Sequence, residues 1–127
     1  MQKLILAVAL LAAASPALAE GMPKHTGDCL ETKISNISNR LLDGTTGKPI
    51  AGSGSAVEFA NGGLQISYDQ VPEVDKSQRG DPVKICLVSI PKNCPKGDKR
   101  GRVYKTNNLR SKDSWTLPDS EHSCGGA

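Results

Sequence analysis

The strongest constraint on the fold is the stretch from Asp81 to Asn107, whose first half is an apolar, β-rich run, Val83 to Ile90, closed on either side by Pro82 and Pro91. Proline cannot continue a ladder, so the run predicts one well-buried strand of ordinary length. Pro91, Pro95 and Gly97 then break the pattern and Val103-Tyr104 resumes it, which predicts a turn and an antiparallel return over residues 101 to 107. The same stretch holds Cys86 and Cys94 and most of the positive charge of the chain.

Upstream, Met1 to Ala19 has a basic head at Lys3, an apolar run from Leu4 to Ala14 and small residues before the end, Ala17-Leu18-Ala19. These three parts make an export signal cleaved after Ala19. The run is too short to span a bilayer core of about 30 Å, so no membrane span is expected. The mature chain is then Glu20 to Ala127, 108 residues, enough for one domain over residues 29–127 after a flexible lead-in at residues 20–28.

Its aromatic residues are only Phe59, Tyr68, Tyr104 and Trp115, so the core must be built from Val, Ile and Leu. A modest core makes the even set of cysteines informative, because thiols of exported proteins oxidise. Cys29, Cys86, Cys94 and Cys124 allow three pairings, of which we favour Cys86 with Cys94 and Cys29 with Cys124. The second would close a loop of roughly 100 residues, worth about 4 to 5 kcal/mol in the chain-entropy model. A metal site is disfavoured: the cysteines lack paired spacing, and His25 and His122 lie near opposite ends of the chain. No cofactor is expected.

From Cys29 onward apolar residues fall at Leu30, Ile34, Ile37, Leu41 and Leu42, a helical spacing, yet Thr32, Ser35, Asn36, Ser38 and Asn39 compete for backbone hydrogen bonds. The segment therefore reads as a long, bent or bulged first strand. Asp43 to Pro49 and Gly52 to Ser55 are loop. Ser55–Phe59 and Leu64–Tyr68 flank Ala60-Asn61-Gly62-Gly63 and predict a hairpin, with Val57 and Phe59 on one face and Leu64, Ile66 and Tyr68 at facing positions. Val71 to Gly80 reads as a surface loop, Ser114 to Leu117 as a short last strand, and the tail from Pro118 as irregular and pinned by Cys124. About six short strands with little helix predict an all-β fold, a small antiparallel barrel or sandwich stapled by two disulfides.

Several strings imitate motifs. Gly52-Ser53-Gly54 lacks the third glycine and the helix of a dinucleotide site, and Gly44 to Lys48 has the wrong spacing for a phosphate loop. Lys99 to Tyr104 echoes an RNA-binding strand, but Tyr104 alone supplies a stacking ring, so no nucleic acid is expected. Asp119-Ser120-Glu121-His122 holds the residue types of a hydrolase triad, which a fold assembles at a distance rather than from neighbours in a tail.

Charge is the more specific signal. Residues 84 to 112 carry nine basic side chains against the single acid Asp98. Such a patch suits an anionic partner, an acidic glycan or an acidic protein, with Lys96, Lys99, Arg100, Arg102, Tyr104 and Lys105 as binding candidates. The competing reading is a solvated surface balanced by Glu58, Asp69, Glu73 and Asp75.

The string from Cys86 to Tyr104, with Ser114 to Ala127, resembles small exported proteins of Gram-negative bacteria that have no assigned function. The resemblance implies a periplasmic home and carries no catalytic residues. The expectation is a monomeric periplasmic or secreted binding protein. The alternatives are a small periplasmic hydrolase using His122 and a structural envelope-associated protein.

Overall fold

The computed structural model describes residues 21–126; the expected export signal over residues 1–19 lies outside the described residues. Six strands form one antiparallel sheet: β1 (Cys29–Asn39), β2 (Ser55–Phe59), β3 (Leu64–Ile66), β4 (Pro82–Ser89), β5 (Val103–Asn108) and β6 (Ser114–Pro118). Their order across the sheet is β3-β2-β1-β4-β5-β6, and the sheet curls into a half-barrel. The all-β expectation and the two staples are therefore correct. No helix among the described residues is long and apolar enough to cross a membrane.

β1 is bent as its polar composition predicts, with a register break between Ile34 and Asn36. Cys29 to Lys33 pair with β4, and Ile34 to Asn39 pair with β2. The strand thus changes partners at its bulge, where added twist turns the sheet.

The concave face holds the core: Ile34, Val57, Phe59, Val83, Ile85, Leu87, Tyr104 and Trp115. In β4 the burial alternates, because an antiparallel sheet with one covered face buries every second side chain. The well-buried strand expected from sequence is thus buried on one face, through Val83, Ile85 and Leu87, whereas Val88 is 45% and Ile90 39% exposed. The segment read as a surface loop also differs. It contains one helical turn, α1 (Pro72–Asp75), which delivers Val74 into the core.

Two further corrections concern the hairpin and the cysteines. In β2–β3, Gln65 and not its apolar neighbours sits opposite Val57, and Gln65 is fully buried. Its Nε2 donates to the carbonyls of Tyr104 and Leu117 at 2.8 and 3.0 Å, while its Oε1 accepts from Thr106 Oγ1 at 2.6 Å and Trp115 Nε1 at 2.9 Å. One amide thereby joins edge strand β3 to β5 and to the opposite edge strand β6. The disulfides are Cys29–Cys86 and Cys94–Cys124, not the pairing favoured from sequence. Cys86 lies directly across from Cys29 in the β1–β4 ladder. Cys94 lies past the end of β4, where the tail returns beside it. The β4–β5 hairpin stands without a disulfide of its own.

The lead-in at residues 21–28 docks on the sheet. Gly21 exchanges hydrogen bonds with Asn61, and Gly27 N–H donates to the Leu87 carbonyl at 2.9 Å.

Candidate anion-binding surface

The loop between β4 and β5, residues 90–102, carries five of the nine clustered basic residues as Lys92, Lys96, Lys99, Arg100 and Arg102, and the chain fixes it without a core. Asp98 is its centre. The carboxylate accepts from Arg100 Nε at 3.0 Å and Nη2 at 2.9 Å, and from the Gly125 N–H at 3.0 Å. Arg100 Nη2 also donates to the Gly126 carbonyl at 3.0 Å, and the Cys124 N–H donates to the Arg100 carbonyl at 2.9 Å. Further along, the Gly101 N–H donates to Asp119 Oδ1 at 2.8 Å, and the Asp119 N–H donates to the Arg102 carbonyl at 3.0 Å. A side chain at Gly101 would be strained: its φ is +99°, and a Cβ would lie 2.7 Å from Ser123 Oγ. Together with Cys94–Cys124, these contacts hold loop and tail as one unit.

Charge follows from this geometry. The Arg100 guanidinium, and after it the Gly125 N–H, hold the Asp98 carboxyl well below the usual carboxylate range; Asp98 in turn raises Arg100. Arg100 is therefore part of the scaffold rather than a free binding group. Arg110 is similarly engaged by the buried Asp81, at 2.6 and 2.9 Å, and Lys112 Nζ donates to the Leu109 carbonyl at 2.7 Å. Asn108 and the Gln78 N–H complete the Asp81 site, each donating at 2.8 Å, and Arg110 chiefly holds that carboxyl far below its ordinary range.

The remaining candidates divide. Lys92, Lys96 and Lys99 on the loop and Lys84 and Lys105 on the convex face of the sheet are exposed and form no ion pair among the described residues. Glu58, Asp69, Glu73 and Asp75 do not balance them: Asp75 instead accepts from Ser55 Oγ and Gln70 Nε2. Arg102 is half-buried, with its Nε enclosed and without a hydrogen-bond partner among the described residues. Tyr104 corrects the sequence reading, being 2% exposed within the core. Burial, then the nearby Asp119 charge, raises its phenol pKa. Lys92 and Lys84, absent from the candidate set, belong with the free lysines; the charge count contained them, and only the fold reveals which charges are spent.

The tail residues with triad chemistry serve the scaffold. Asp119 caps Gly101, Ser120 Oγ donates to the His122 carbonyl at 2.7 Å, and Glu121 pairs with Arg40 at 3.3 Å. Arg40 lies 4.3 Å over the Tyr68 ring, beside a cleft of about 240 Å³. The His122 ring is 6.5 Å from that of Tyr68 and makes no side-chain hydrogen bond among the described residues. No group of three or more His, Cys, Asp or Glu able to hold a metal occurs among the described residues.

Compared with known proteins, the chain matches no family model, no curated protein and no solved structure.

Proposed function

We propose that this is an exported, monomeric binding protein of the bacterial periplasm or exterior, whose β4–β5 loop engages a polyanion such as an acidic envelope glycan. The observation that carries the reading is the pairing pattern of the loop: Arg100 is consumed by Asp98 and Arg102 is half-buried, while Lys92, Lys96 and Lys99 are exposed on a clamped backbone and form no ion pair among the described residues. A loop fixed before binding loses little entropy on association.

The side-chain chemistry selects the partner. Lysine offers a mobile point charge without the planar fork that reads one carboxylate or phosphate. An exposed ion pair at 4 Å is worth about 1 kcal/mol, so three lysines supply about 3 kcal/mol, less than the roughly 4 kcal/mol of a millimolar Kd. A small anion is therefore not retained, whereas a chain of anionic sugars engages all three lysines and, across the sheet, Lys84 and Lys105.

The test is chromatography on an immobilised sulfated polysaccharide. The wild-type protein is expected to bind at low salt and to elute as the screening length shrinks from about 10 Å at 0.1 M toward about 3 Å at 1 M. The Lys96→Glu, Lys99→Glu pair should abolish retention with an unchanged melting curve. Arg100 is left intact because its loss would loosen the loop. Wild-type elution in the void volume at low salt removes the reading.

A further inference from the structure

The two disulfides occupy different chemical settings. Cys94–Cys124 joins two half-buried residues inside the loop-and-tail unit that Asp98 organises. Cys29–Cys86 joins neighbouring strands at directly opposed positions. Cys86 alternates with the buried Ile85 and Leu87, so the bridge lies on the convex, solvent face, and Cys29 is the exposed half-cystine of the four. Lys105 on β5 is the cross-strand partner of Cys86, and Lys84 lies two residues before it on the same face. Paired residues on one face have Cβ atoms about 5 Å apart, which brings an ammonium stem beside the Cys86 sulfur. Of the carboxylates nearby, Asp28 precedes Cys29 and Glu31 lies across from Lys84 in the β1–β4 ladder, which leaves Lys105 as the cation directly opposite Cys86.

We infer that Cys29–Cys86 is a thiol-exchange site, opened by the dithiol of a reducing partner through attack on the exposed Cys29 sulfur. The incoming thiolate forms a mixed disulfide with Cys29 and the Cys29–Cys86 bond breaks. Cys86 leaves as a thiolate beside Lys105 and then takes a proton from solvent. The second thiol of the partner attacks the mixed disulfide, frees Cys29 and leaves the partner oxidised by two electrons. Access to the attacked sulfur and stabilisation of the departing thiolate by neighbouring cations both accelerate such exchange.

Opening this bridge does not release the strands. The ladder from Cys29 to Lys33 against β4 remains, as do the backbone bonds of Gly27 and Leu87 just before it. The two thiols stay opposed and can be reoxidised.

Differential alkylation with peptide mapping of the wild-type protein during limited dithiothreitol treatment tests the proposal. Cys29 and Cys86 should become labelled at least about tenfold faster than Cys94 and Cys124, since the first bridge is the accessible one. Under limiting glutathione the first adduct should sit on Cys29, with the β-sheet circular dichroism retained. Replacing Lys105 by glutamate should slow opening of the first bridge and spare the second; Lys105→Gln serves if the glutamate variant folds poorly. Equal rates, prior opening of Cys94–Cys124, an adduct on Cys86 or collapse of the sheet on reduction would each overturn the inference.

Discussion

The Gln65 amide and the Cys94–Cys124 clamp both join segments that the strand ladder leaves apart, and they do so by opposite physics. Gln65 is fully buried and closes β3 onto β5 and β6 with four hydrogen bonds, two given and two received. A buried polar group of this kind stabilises only while every bond is intact, because each orphaned partner then bears its own desolvation cost. The clamp lies at the surface, where ion pairs and hydrogen bonds such as those around Asp98 are individually weak. Its covalent link acts chiefly by restricting the unfolded chain. One device specifies how the barrel closes; the other keeps a charged loop in place without consuming core.

Three experiments break or sharpen this contrast. The largest effect is expected for Gln65→Ala, which leaves the Trp115 and Thr106 donors and the Tyr104 and Leu117 carbonyls without their partner and opens a cavity. Urea unfolding should lose about 3 to 5 kcal/mol. A loss below about 1 kcal/mol would mean that apolar packing alone closes the edges. The Cys94→Ala, Cys124→Ala pair removes a bridge spanning 30 residues, for which the chain-entropy model gives about 3 to 4 kcal/mol. The sheet core should remain folded, and new protease cleavage should appear in residues 90–102 and the tail. Cleavage in β2 or β3 instead would show that the clamp also supports the barrel.

The smallest effect concerns acid. The native pKa of Asp98 lies below its ordinary value, so its contribution is fully present above about pH 4 and is lost as the pH falls through the depressed native pKa. The Gly125 amide resonance should report this loosening before global unfolding, and Asp98→Asn should abolish its pH response. A Gly125 shift that persists in the variant would assign the change elsewhere.

Much of the strand layout was legible because it is local. Prolines bracket the apolar run of β4, Asn61-Gly62 marks the β2–β3 turn, and the polar residues of β1 oppose the helical spacing of Leu30, Ile34 and Ile37. What escaped was set by partners far along the chain. Gln65 faces inward because groups 39 to 52 residues away satisfy it, whereas alternation by hydropathy turns Leu64 and Ile66 inward. The cysteine pairing depends on β1 lying beside β4, which short-loop closure cannot anticipate. Tyr104 was placed with the charges around it, although it shares a strand face with Thr106 and Asn108, all three buried. The basic character of the loop was plain in composition; that Arg100 is spent and Lys92, Lys96 and Lys99 are free emerged from Asp98 and the tail.

The exchange of partners along β1 has a mechanical consequence. A first half-sheet consists of β4, β5 and β6 with residues 29–33, and a second of β2 and β3 with residues 34–39. Around the curl they are connected in series through the backbone at Ile34, and across the mouth they meet in parallel at Gln65. The molecule is thus a clasp: β1 is its pivot and Gln65 its catch. A rotation of one half against the other about Ile34 would change the gap between Leu64–Ile66 and Ser114–Pro118 most and the separation of β1 from β4 least, because the ladder and the Cys29–Cys86 bridge tie β1 to β4.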